Sequence, residues 1–183
     1  MKRALIICSL FCAMMIGVAA VSAQKGANFA GTWELDKGKS QLPEMFANNL
    51  TSMTWTVTQS ETELKIEPKA EMAQTGGGGG GGGGRGGGGG FNQPSTYKLD
   101  GSETTTDLTG RMTGKVTRKA KWSSDGKGLE LSAVTKGDFN GNAFTNTRTE
   151  QWELADGGKA LKVHIKSESQ RGTQESTYVF AKK

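Results

Sequence analysis

Apolar residues recur at every second position through most of this chain, and short pairs of Asp-Gly or Asn-Gly interrupt them. Phe29, Gly31, Trp33 and Leu35 fall on one face; Met53, Trp55 and Val57 on another, with Thr54 and Thr56 opposite. Leu64 and Ile66 alternate with Glu63, Lys65 and Glu67, and Tyr97 is followed by Leu99. Val116, Ala120 and Trp122 oppose Lys115, Lys119 and Lys121, and Leu129, Leu131 and Ala133 come next. Phe144, Trp152 and Leu154, then Leu161, Val163 and Ile165, then Tyr178 and Phe180 complete the series. Period two is the signature of a half-buried β-strand, because successive side chains leave a pleated strand on opposite faces. A helix cannot gather these residues on one side.

The punctuation selects the connectivity. Asp100-Gly101, Asp125-Gly126, Asn140-Gly141 and Asp156-Gly157 tolerate the positive φ that tight hairpin turns require. Connections this short join antiparallel neighbours, since a parallel crossover needs a dozen residues or more. A weak repeat supports this. WSSDGKGLEL (122–131) and WELADGGKALKV (152–163) each run from a strand end through a turn into a new alternating strand. The expected fold is all-β: an antiparallel up-and-down meander of about ten strands that closes into a barrel, because closure removes exposed sheet edges. Residues 37–50 (KGKSQLPEMFANNL) lack alternation; Pro43 is placed to open a short helix through Glu44, Met45 and Phe46.

The first 23 residues carry a different message. Lys2 and Arg3 precede an apolar run from Ala4 to Ala20, and Val21-Ser22-Ala23 supplies small residues at its exit. This is the pattern of a secretory signal peptide, with cleavage expected after Ala23 and a mature chain in the periplasm or outside the cell with no membrane span; the alternative is a membrane anchor, for which the apolar run is short and the small-residue exit unfavourable. Cys8 and Cys12 both lie in that segment, so the mature chain has neither a disulfide nor a thiol. Residues 24–183 form one domain whose fold rests on core burial. About 145 of its residues remain to build that core once the glycine run is set aside.

That run, TGGGGGGGGGRGGGGGF (75–91), separates two alternating segments. A phosphate-binding loop needs a helix after it and a Lys-Ser/Thr at a fixed offset, and neither follows. An RGG-type nucleic-acid arm needs repeated arginines and aromatics, and only Arg85 is present. Polyglycine buries nothing and has high backbone entropy, so the run is expected to be a disordered loop whose removal leaves the fold intact. The net charge of +5 falls to +3 without Lys2 and Arg3, and the remaining charges are interleaved. No nucleic-acid partner is expected of such a surface.

The stretch FAGTWEL (29–35) resembles the first strand of the calycins, the lipocalins and fatty-acid-binding proteins, which carries a G-x-W. The ending TYVFAK (177–182) loosely resembles their last strand, and residues 37–50 stand where fatty-acid-binding proteins carry a helical lid. The resemblance implies a calycin-like barrel around a small apolar or amphipathic ligand, with Trp33 closing one end. It has departures. The family's Arg-x-Tyr in the last strand is replaced by Tyr178 and Phe180 at the matching positions. The closing arginine that lipocalins stack on the Trp is also missing, with Lys182 the nearest candidate.

Parity also names candidate ligand contacts. Arg118 shares a face with Val116, Ala120 and Trp122; Asn146, Arg148 and Glu150 share one with Phe144, Trp152 and Leu154. If those faces line the barrel, Arg118 or Arg148 with Tyr178 holds an anionic head group while Trp33, Trp55 and Trp122 flank an apolar tail. One β-bulge would instead turn the arginines to solvent, and an Arg–Glu150 pair would merely plug the interior. His164 is the only histidine and alternates outward. No catalytic set, metal site or cofactor site can be assembled around it. The expected function is non-catalytic binding of a small hydrophobic or amphipathic molecule. The alternative is an envelope structural or interaction module with a solid core.

Overall fold

In the computed structural model, the residues described are 26–73, 92–109 and 112–183. Residues 1–23, read above as a signal peptide, and the glycine run 75–91 lie outside them. The chain forms β1 (Gly31–Leu35), α1 (Glu44–Asn49), β2 (Leu50–Gln59), β3 (Glu63–Met72), β4 (Ser95–Lys98) and β5 (Thr104–Leu108). It continues as β6 (Met112–Trp122), β7 (Gly128–Phe139), β8 (Asn142–Ala155), β9 (Ala160–Ser169) and β10 (Gly172–Lys182). One antiparallel sheet runs in the order β4-β3-β2-β1-β10-β9-β8-β7-β6-β5. First and last strands pair in its middle, and β4 packs against β6 across the seam, so the sheet is nearly closed into a barrel.

Local chemistry explains the elements. Asn140 (φ 54°) and Gly141 (φ 81°) turn β7 into β8 with both central residues left-handed, as a two-residue hairpin of this twist requires. Pro43 stands at the N-cap of α1, and Lys37 Nζ donates to Leu50 O at 2.6 Å just past its end. β5 was not visible as alternation, because its sequence TTTDL puts polar residues on both faces of an edge strand. At Gly114 (φ +148°) a Cβ would stand 2.2 Å from Lys136 O, so only glycine permits β6 and β7 to approach as they do.

The base is sealed by the segment that leads into β1. Gln59 grips it twice, Oε1 accepting from Phe29 N at 2.8 Å and Nε2 donating to Ala27 O at 3.0 Å. Gly26 lies under Trp122, Phe29 stacks on that same indole, and Trp33 Nε1 donates to Phe29 O at 2.8 Å. Lys182 Nζ sits 5.2 Å from the Trp33 ring centroid, a cation–π contact on the outer side of the base. Above the seal, Trp55 stacks on Trp152 with centroids 5.4 Å apart and meets Phe180 at 4.4 Å. Phe29, Trp33, Trp152, Phe180, Leu161 and Val163 have no accessible surface.

Candidate functional site

Strand register sorts the inward faces of β5–β10 into levels. Nearest the base, Phe180, Leu161 and Leu154 are neighbours across β10, β9 and β8. Next come Tyr178, Val163, Trp152, Leu129 and Trp122, then Ser176, Ile165, Glu150, Leu131 and Ala120. The fourth level reads Gln174, Ser167, Arg148, Ala133, Arg118 and Thr104. Ser169, Asn146, Thr135, Val116 and Thr106 lie beyond it. The interior thus passes from aromatic and aliphatic to charged and hydroxylated along each strand. No bulge interrupts β6, β7 or β8, so Arg118 and Arg148 keep the parity of the buried residues below them.

Three interior charges define the belt. Glu150 is nearly buried and accepts from Arg148 Nε at 2.6 Å and Trp152 Nε1 at 2.9 Å. Arg148 is surrounded by protein, yet 39% of its side chain meets solvent. Enclosure lowers its pKa, but the Glu150 carboxylate and its hydrogen bond outweigh that and raise it. Arg118 has no carboxylate partner among the described residues; its Nη1 donates to Thr106 Oγ1 at 2.8 Å. Two guanidinium groups against one carboxylate leave one net positive charge. Ala133, with a single methyl, stands between the two arginines across neighbouring strands.

Two phenols border the belt. Burial, then the Glu150 charge, push the Tyr97 pKa well up, with Arg118 and Arg148 opposing. Tyr178 is raised for the same first cause, with Arg148 pulling the other way. Tyr178 is also covered by Phe46 of α1, the rings stacked at 6.2 Å. Two buried polar atoms lack partners among the described residues, Trp55 Nε1 and Asn146 Oδ1. A groove of about 430 Å³ lies between the start of α1 and β10, lined by Leu42, Pro43, Glu44, Gln174 and Glu175.

The structure therefore brings Arg118, Arg148 and Tyr178 to one interior region. Trp33 and Trp55 lie in the filled base, and Trp122 is half-buried against Phe29 at its edge. Tyr97 and Thr106 join the region without having been singled out. The position of Tyr97 on an apolar face was the only signal in its sequence, while Thr106 lies in the strand that shows no alternation. Among the described residues no three His, Cys, Asp or Glu side chains gather as a metal site, and no helix is long and apolar enough to cross a membrane.

The ten-stranded antiparallel barrel is compatible with a calycin-like fold. No model of a known protein family matches the chain, and no curated protein matches it in sequence.

Proposed function

We propose that this chain is an exported, calycin-like barrel that binds a small amphipathic molecule through an anionic head group, without catalysis. The observation that carries the proposal is the belt: two interior arginines, only one of them neutralised by a carboxylate, at a level that solvent reaches. Charge is costly to hold inside a barrel unless a partner or ligand offsets it. The ligand class follows from complementarity. A carboxylate or sulfonate matches the surplus charge; a cationic or neutral head does not.

Calorimetric titration of the mature protein with dodecanoate, dodecanol and dodecyltrimethylammonium tests this. Saturable binding of dodecanoate alone is expected, weakened about tenfold or more in Arg118→Gln. Equal binding of all three, or none, would sink the proposal. A second reading, the solid structural module, draws on the filled base and on the Arg148–Glu150 pair, in which each group neutralises the charge of the other. Native mass spectrometry of protein from its own host separates the two, since a bound small molecule released on denaturation favours the binding barrel. Sequencing of the mature N-terminus checks export, with Gln24 expected first.

A further inference from the structure

β10 has two edges, and only one is fully used. On one side it pairs with β9 from Gly172 to Ala181. On the other it pairs with β1 from Phe180 to Lys182, and it meets Gln41 at Thr177, where the backbones exchange hydrogen bonds of 2.7 and 3.0 Å. The ladder stops there for a chemical reason. The next residue in phase is Pro43, opposite Glu175. It has no N–H to give, and its carbonyl already accepts from Phe46 N and Ala47 N. Thr173 and Glu175 are in phase with Thr177, so their N–H and C=O groups point to this side, and among the described residues no strand takes them. The groove of about 430 Å³ lies along this stretch, with Pro43 and Glu44 on one wall and Gln174 and Glu175 on the other.

The charges at this edge are self-complementary. Glu44 and Glu175 border the groove, and among the described residues neither is paired with a lysine or arginine; Glu175 has His164 Nε2 at 3.8 Å. Lys166, opposite Glu175 on β9, pairs with Glu168 at 2.9 Å. Arg171, at the tip of the β9–β10 hairpin, is exposed, has no carboxylate partner among the described residues, and is in phase with Thr173 and Glu175. We infer that this edge pairs with the same edge of a second copy of the chain, antiparallel about a two-fold axis at Thr173. In that register Thr173 exchanges backbone hydrogen bonds with Thr173 of the second copy, and Glu175 of each copy lies opposite Arg171 of the other. Each hairpin tip enters the other copy's groove and brings a guanidinium to Glu175 and Glu44. An axis at Gln174 instead sets Arg171 against Thr177, whose backbone is already bonded to Gln41. The contact is one short edge per copy, smaller than the roughly 1,200 Å² that stable interfaces bury, so the pair is weak and concentration-dependent.

Sedimentation equilibrium of the full mature protein, from about 10 µM to about 1 mM, tests this. A reversible monomer–dimer equilibrium is expected. Arg171→Glu and Glu175→Arg should each weaken it about tenfold or more, since each sets like charges across the axis. Mixed in equal amounts, the two variants should dimerise with each other at least as well as the unaltered protein does, because every charge then faces its opposite. Both positions are exposed, so circular dichroism should show an unchanged barrel. Thr173→Pro removes the central N–H, which points away from β9 and is not needed by the fold; this variant should be monomeric. A protein that stays monomeric to about 1 mM, a dimer that any of the three variants leaves unchanged, or a mixture that does not pair overturns the inference. The test is independent of dodecanoate binding, so either reading can fail while the other stands.

Discussion

Trp152 and Arg148 share one face of β8, four residues apart, and they belong to two different interiors. Around Trp152 the barrel is packed as a protein core: Phe29 meets it edge-on at 5.7 Å, Trp55 stacks on it, and its one polar atom is bonded to Glu150. Around Arg148 the neighbours across the sheet are Ala133 and Ser167, small side chains that leave the guanidinium in reach of water. The same backbone ladder supports both. The difference is side-chain volume: large rings converge at the base and exclude solvent, whereas Ala, Ser and Thr at the belt leave polar groups wet. Stability is thus expected to reside in the base and binding in the belt, and the two can be perturbed separately.

The sharpest break is Trp152→Ala. It empties a fully buried indole site and removes a hydrogen bond from Glu150, so a loss of about 3–5 kcal/mol is expected in denaturant unfolding. A loss below 1 kcal/mol would mean that the base is not the stabilising half. Glu150→Gln should cost less, about 1–2 kcal/mol, because solvent at Arg148 moderates the loss of its partner. The same change should tighten dodecanoate binding by freeing a second guanidinium; weaker binding would show that the pair builds the site rather than competing for it.

Alkaline titration asks how far the closed interior extends toward the belt. A phenol with a raised folded pKa keeps its proton longer when folded than when unfolded. Stability is therefore full below the ordinary value near 10 and falls as pH rises above it. Tyr97 and Tyr178 are both shifted in that direction. Tyrosinate absorbance is expected to appear together with unfolding, and Tyr97→Phe should flatten the decline above pH 10; early, reversible ionisation of the folded protein would place both phenols in the wet half. The smallest effect belongs to the outer seal. Lys182→Met should cost about 0.5 kcal/mol, the worth of an exposed cation–π contact, measured as a shift in thermal midpoint. A cost above 2 kcal/mol would make the base depend on its closing cation.

Much of this was legible in the chain. The alternation of Met53, Trp55 and Val57, or of Leu161, Val163 and Ile165, reports a buried face because pleating forces alternate residues to the same side. Asn140-Gly141 reports its turn because few residue pairs accept two left-handed conformations. The inward parity of Arg118 and Arg148 was legible only on condition that no β-bulge intervenes, and the unbroken registers of β6, β7 and β8 meet that condition. Thr104 to Leu108 stayed hidden because an edge strand with two polar faces has no period to read. Tyr97 stayed out of the candidate site because its approach to Glu150, Arg118 and Arg148 crosses the seam between β4 and β6, which no local pattern records.

What the sequence determined by itself is the set of faces: which residues share a side of each strand, and where the chain reverses. Those follow from bond geometry and are local. What only the tertiary structure decided is the depth of each face. Trp55 and Arg148 are both interior by parity, yet one lies in a solid base and the other at a solvated belt. That outcome depends on the volumes of side chains from other strands at the same level, which meet only when the sheet curls and the first strand pairs with the last.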